Sequence, residues 1–251
     1  MDKDERSPLL GIVQQLRKRL VASAIALGIG FAISYAFSET LFRVLAWPLK
    51  INMAPEDRLI YTGLPEMFFI YIKVAFVAGI LLAAPFIFYE MWMLATPGFR
   101  RRQRRLVLPF VLLSSLLFIG GALFAYFIAF PVAFKFFLGF ENQHLQSLPS
   151  VKQYFSFSVR LLLLFGLIFE LPVAVFFLTK AGVITPEAMK KNRAYAMLGV
   201  FVFAAIVTPP DLISQVMLSI PLLLLYEVAI LIAKLAGSKK ATKEQNDQAQ
   251  A

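Results

Sequence analysis

Cysteine is absent from this chain, so no disulfide, thiol nucleophile or iron–sulfur cluster is possible. Histidine occurs once, at His144 in a polar stretch, which argues against a histidine-based zinc site. No nucleophile elbow, phosphate loop or HExxH pattern is found. Charge is also scarce, at 16% of residues against 59% hydrophobic, with a mean hydropathy of +0.74. A soluble domain of 251 residues cannot hide so much apolar surface, so an integral membrane protein is expected. Its apolar runs of 14 to 29 residues suit helices, whose backbone groups bond internally, whereas barrel strands would be alternating segments of about ten. The expected class is all-α, a polytopic helical bundle.

What is there is a set of six apolar segments, approximately Leu20–Phe37, Met67–Leu94, Leu106–Phe134, Phe155–Leu178, Ala194–Val207 and Leu212–Ile232. Six transmembrane helices put both termini on one side, and the basic residues decide which. Eighteen of the 25 lysines and arginines fall in the N-terminal segment, the second and fourth connections and the tail, against five in the opposite loops. That bias predicts both termini in the cytoplasm. It also explains the net charge of +10 without invoking nucleic acid, which is not an expected partner. The expected domain covers residues 1–235, and the polar stretch 236–251 is expected to be a disordered cytoplasmic tail.

Span lengths are uneven. The second and third segments have 28 and 29 residues, about 42 Å of helix, and must tilt, bend at Pro85 or project from a hydrocarbon core of about 30 Å. The fifth has 14 residues, about 21 Å, and predicts a locally thinned bilayer. The tight connection Thr208-Pro209-Pro210-Asp211 turns it into the sixth, with Asp211 in a turn and cap role. The loops Ser38–Glu66 and Lys135–Tyr154 are long enough for a folded cap on the far side, with Pro48, Pro55 and Pro65 limiting helix length in the first. Glu66 after Pro65 suits a helix N-terminus.

Glu170 is the most informative single residue. It stands ten residues before Lys180 in an apolar run, roughly 15 Å from that end and so near mid-bilayer. A carboxyl there costs on the order of 2.5–3.5 kcal/mol on an insertion scale, and an intramembrane ionisable group is by default a functional site. Glu227 is a second carboxylate in an apolar run, and its spacing suggests pairing with Lys234. Gln215 suits a polar contact between helices, and Lys73 and Arg160 lie close enough to span ends to snorkel.

Several short patterns then fall in register. Leu16-Arg17-Lys18-Arg19-Leu20 opens the first span, and Ala84-Pro85 with Tyr89 and Trp92 closes the second. Arg104-Arg105-Leu106-Val107 opens the third, which ends in Phe124-Ala125-Tyr126-Phe127 and Phe130-Pro131. Phe165-Gly166 and Phe169-Glu170-Leu171-Pro172 lie in the fourth. Thr208-Pro209-Pro210-Asp211, Ser214-Gln215 and Tyr226-Glu227 complete the set. From about Gly11 to Leu235 the chain resembles the TatC family, the C subunit of the twin-arginine protein translocase.

The resemblance implies six spans, cytoplasmic termini and a concave, glove-like bundle in the bacterial inner membrane. It implies no enzyme and no cofactor or metal. The implied function is a receptor and scaffold that binds twin-arginine signal peptides of folded cargo. It would recruit TatA-like and TatB-like single-span partners, form a homo-oligomer within the receptor complex, and be driven by the proton-motive force. A proton-coupled secondary transporter using Glu170 is the alternative, although no internal repeat is visible. Anionic lipid is a further expected contact of the basic runs.

The resemblance also locates a departure. Two glutamates of the family's patch for the arginine pair correspond here to Gln15 and Gln103, which bring acceptor oxygens but no charge. Three explanations compete: an engineered or recognition-weakened form, a diverged paralogue, or a relocated carboxylate, for which Glu90 is the candidate. The expected signal-peptide set is therefore Gln15, Arg17, Glu90 and Gln103. The expected intramembrane set is Glu170, Gln215 and Glu227, with Pro209, Pro210 and Asp211 at the hairpin.

Overall fold

Lipid-adapted sequences satisfy their backbone within helices, and among the described residues this chain does so almost throughout. The structure is a computed structural model that describes residues 7–53, 59–61, 63–95, 107–139, 149–207 and 212–248. In chain order the helices are α1 (Ser7–Ala36), α2 (Ser38–Lys50), α3 (Glu66–Ala95), α4 (Val107–Phe124) and α5 (Phe130–Leu138). They continue as α6 (Val151–Phe169), α7 (Leu171–Lys180), α8 (Pro186–Lys191), α9 (Arg193–Val207) and α10 (Leu212–Gln248). Among the described residues five stretches are long and apolar enough to cross a membrane: Val13–Ala36, Glu66–Leu94, Val107–Leu138, Val151–Lys180 and Leu218–Leu235. The sixth apolar helix, Arg193–Ile206, is shorter, as its composition predicts.

Where a single domain over 1–235 is expected from sequence, the chain divides into two compact units, Met1–Leu164 and Phe165–Ala251. In the first, the principal packing is α1 on α3, and two glycines set its closeness. A Cβ on Gly30 would stand 2.7 Å from the carbonyl oxygen of Gly79, and one on Gly79 would stand 2.7 Å from the amide nitrogen of Phe31. Backbone therefore touches backbone, the small-residue contact that membrane helices use in place of a hydrophobic driving force. Otherwise α1 faces outward, with Leu20, Ile25, Ile29 and Ile33 exposed as lipid-facing groups should be. Between α3 and α4 the buried indole of Trp92 donates to Ser114 Oγ at 3.3 Å.

The loop expected to lack long helices holds α2, with Pro48 inside its last turn. Proline offers no N–H to the carbonyl of Val44 four residues earlier. The hydroxyl of Tyr126 donates to that carbonyl instead, at 2.8 Å. Tyr126 itself sits in a single π-turn, Ala125–Ala129, between α4 and α5. That bulge ends at Phe130-Pro131, where the next proline withholds its N–H from Phe127, a common cause of such wide turns. The neighbouring carbonyl of Leu45 accepts from Tyr154 at 2.6 Å, and Phe42 stacks on Phe155 with centroids 4.5 Å apart.

The two loops expected on the far side are stitched together at Ile60 and the start of α6. Ile60 pairs with the segment before α6, its N–H donating to Pro149 and its carbonyl accepting from Val151. Buried Glu66 accepts from Gly63 N–H at 3.1 Å and from Lys152 N–H at 2.9 Å. One carboxylate thus serves the entry of its own helix and the exposed donors at the start of α6. Lys73, expected to snorkel, instead reaches Ser156 Oγ on α6 at 3.2 Å.

In the second unit, Val175, Met189, Ala229, Ile230 and Ala233 form a core joining α7, α8 and α10. The turn out of α7 is encoded locally. Gly182 adopts φ 78°, Val183 N–H bonds the carbonyl of Leu178 and Gly182 N–H bonds that of Thr179, which is a Schellman stop. Thr185 then caps α8 through Ala188 N–H. The last helix, α10, runs as helix through Gln248. Its Ala, Lys, Glu and Gln residues are strong helix formers joined to a span already wound, so no new nucleus is needed.

Candidate functional site

The first candidate surface lies at one end of α1 and α3. Gln15 and Arg17 are exposed in the early turns of α1. Arg19 is not the free repulsive charge that its neighbours suggest, because its Nη1 donates to Glu90 Oε2 at 2.8 Å. The two side chains are only 24% and 14% exposed, so the pair is far less screened than a surface bridge. Gly30 lies eleven residues after Arg19, and Gly79 lies eleven before Glu90. On antiparallel helices these equal offsets, about 16 Å each, carry the two charges to the same depth from the glycine crossing. Gln103 and the arginines around it lie outside the described residues, so only part of the expected patch can be placed.

That pairing was within reach of the sequence. Opposite charges at matching depths on consecutive spans, near the same membrane face, are the signal for it. What obscures the signal is the crowd of other cations in the motif around Arg19.

The second candidate surface belongs to the other unit. Glu170, half-buried, occupies the break between α6 and α7. Pro172 cannot donate to Ile168, so the fourth apolar stretch is two helices meeting at the acidic residue. The N–H of Glu170 closes α6 onto Leu167 at 3.1 Å, and its carbonyl opens α7 by accepting from Ala174 at 2.9 Å. A carboxylate at the mouth of α7 is also favoured by that helix's positive end.

Gln215 donates from Nε2 to the carbonyl of Phe201 at 2.9 Å, tying α10 to α9. Glu227 does not take the partner expected from spacing. It accepts from Arg193 Nη2 at 2.6 Å, with both side chains 48% exposed. Lys234 is seven residues along the same helix, about 10 Å away, whereas the first residue of α9 comes alongside Glu227. Pro209, Pro210 and Asp211 lie outside the described residues. Among the described residues no group of three or more His, Cys, Asp or Glu is arranged to hold a metal ion.

With this arrangement in place, its relatives can be recognised. Residues 11–221 match the family model described as Sec-independent protein translocase protein (TatC). The TatC protein of Desulforapulum autotrophicum is 46% identical over 243 residues, covering 97% of this chain and 90% of that protein. The Aquifex aeolicus protein is 42% identical, covering 93% and 97%, and the Escherichia coli protein 34% identical, covering 98% and 95%. A crystal structure of a twin-arginine translocase receptor, TatC, superimposes with a TM-score of 0.80 at 42% identity. It covers 90% of this chain and 99% of its own. The chain therefore belongs to the TatC family of Sec-independent protein translocases, multi-pass proteins of the inner membrane that serve protein transport and are not enzymes.

Proposed function

We propose that this chain is the receptor and scaffold subunit of a twin-arginine translocase. In this reading it crosses the membrane six times with both termini in the cytoplasm and binds the signal peptides of folded cargo. It assembles with TatA-like and TatB-like subunits and further copies of itself, and transport draws on the proton-motive force. The similar solved protein is itself described as a receptor. The observation that carries the reading is the Arg19–Glu90 pair: this surface already holds a guanidinium against a half-buried carboxylate at 2.8 Å.

An incoming arginine can take over that carboxylate from Arg19 at little net cost, because one charge-assisted hydrogen bond replaces another. The second arginine of the signal then meets the amide oxygens of Gln15 and Gln103. Arg19, once released, swings toward water among Arg17 and its neighbours. Glu170 supplies the intramembrane acceptor for a polar group on a partner helix, and the kink at Pro172 keeps that acceptor at a helix opening. Gln215 and Glu227 tie α9 to α10, which itself packs on α7 in the same unit.

Affinity of a twin-arginine peptide at two salt concentrations tests the proposal. Glu90→Gln should weaken binding tenfold or more. Gln15→Glu with Gln103→Glu should tighten it by a similar factor, and that gain should shrink as salt rises. Binding unchanged in both variants would remove this surface from recognition. For the second surface, Glu170→Ala should insert normally but weaken partner crosslinking by a few-fold, since one polar contact in lipid averages about 0.6 kcal/mol.

A further inference from the structure

Three cations from three helices converge at one end of the second unit. Met189 on α8 and Ala233 on α10 share the same buried core, and the next residue along each helix is a lysine. Tyr226 locks the two helices together by donating to the carbonyl of Met189 at 2.9 Å. As a result Lys190 and Lys234 leave α8 and α10 from neighbouring positions, and Arg193, held by Glu227 of α10, opens α9 in the same unit. Among the described residues the carboxylate recorded against this group is Glu227, bound to Arg193 at 2.6 Å. Glu187 stands in the opposite, first turn of α8. Among the described residues the packing thus gathers three cations around one carboxylate, a net positive charge that an anion from outside would neutralise.

Depth says where that anion comes from. Arg193 opens the apolar helix Arg193–Ile206, and Lys234 is the last residue but one of the candidate span Leu218–Leu235. Both therefore sit where hydrocarbon gives way to headgroups. We propose that Lys190, Arg193 and Lys234 form a binding site for a phosphate-bearing anion, filled in the membrane by the headgroup of an anionic phospholipid. The exposed lysine stems let both ammonium groups close on one phosphodiester. Arg193, kept in place by Glu227, presents its remaining donors to the same group. Because the lipid neutralises charges on α8, α9 and α10 together, it also ties the ends of the hairpin and the short helix into one plane.

The test uses the full chain purified in an uncharged detergent, with short-chain phosphatidylglycerol, phosphatidylcholine of the same acyl length, and inorganic phosphate as probes. Binding is read by native mass spectrometry and by the thermal unfolding midpoint. The wild type should prefer phosphatidylglycerol to phosphatidylcholine by roughly twentyfold, and Lys190→Gln with Lys234→Gln should lose most of that preference. Without any anion the double variant should unfold at the same or a higher temperature, because a repulsion has been removed. That separates loss of the site from loss of the fold. Lys234→Gln alone should show an intermediate preference. Inorganic phosphate at millimolar concentration stabilising the wild type as much as the lipid would overturn the lipid assignment. An unchanged preference in the double variant would overturn the site.

Discussion

Adding a single methyl group at the α1–α3 crossing should loosen the first unit in a way that a methyl elsewhere on the same helix does not. In Gly79→Ala the new Cβ would lie 2.7 Å from Phe31 N, 2.9 Å from Phe31 Cα and 3.0 Å from Gly30 C, all of them backbone atoms. No rotamer change can relieve that contact. The helices must part by about 0.7 Å to restore ordinary packing distance, an overpacking that costs about 1–3 kcal/mol. Alanine also gains up to about 1 kcal/mol over glycine in helix propensity, which would mask part of the loss. Gly28→Ala is the control, because its Cβ would meet nothing within 4 Å and it carries the same propensity gain. The difference in unfolding free energy between these two variants, measured by denaturant titration in detergent, isolates the crossing. We expect Gly79→Ala to be the less stable by about 1–3 kcal/mol. The same 0.7 Å, carried about 16 Å along two stiff rods, should stretch the Arg19–Glu90 bond and reduce crosslinking between cysteines placed beside it. Two variants of equal stability would refute the backbone contact, and with it the account of how those charges come to the same depth.

Other perturbations follow from single contacts. Tyr126→Phe leaves the Val44 carbonyl without the donor that replaces the missing N–H of Pro48. It should lower stability by about 1 kcal/mol in the same titration, with hydrogen exchange rising in α2. Glu66→Gln puts an amide where two backbone N–H groups converge, and should cost about 2–3 kcal/mol, because a hydrogen bond to a charged group is stronger and one donor would now face another. Spin labels midway along α9 should report water and headgroups closer than labels midway along α4, since 15 residues give only about 22 Å of helix. Equal depth profiles would refute local thinning.

Much of the fold was legible because lipid imposes a coarse rule. Long apolar runs must become helices, and their ends mark the spans, so Glu66–Leu94 and Val107–Leu138 agree with their sequence limits within a few residues. Contacts between elements were harder to read. Glu227 was expected to use its own helix, but the partner came from 34 residues away because α9 returns alongside α10. Glu90 was chosen for its charge and position, yet nothing local reveals that Arg19, 71 residues earlier, already holds it. Pro48 was read as limiting helix length yet lies inside α2, and the break at Pro172 was not anticipated in a run read as one span. The orphaned carbonyl at Val44 was satisfied by a tyrosine from a π-turn that no hydropathy pattern announces.

Glu66 also carries a consequence for the order of synthesis. Its two donors do not exist at the same moment: Gly63 lies three residues before it, but Lys152 follows 86 residues later. At about 5–20 residues per second, the ribosome leaves roughly 4–17 s between them. In the proposed topology the first loop waits across the membrane throughout that interval, with one side of its carboxylate still hydrated. Two more apolar stretches must be threaded before the second donor arrives. The cap therefore closes late, as α6 begins to enter, and its closure marks the moment at which the earlier spans have reached their proper sides. A variant that weakens Glu66 should thus accumulate half-inserted chains, visible as protease-sensitive fragments cut in the first far loop, before it shows any defect in the finished protein.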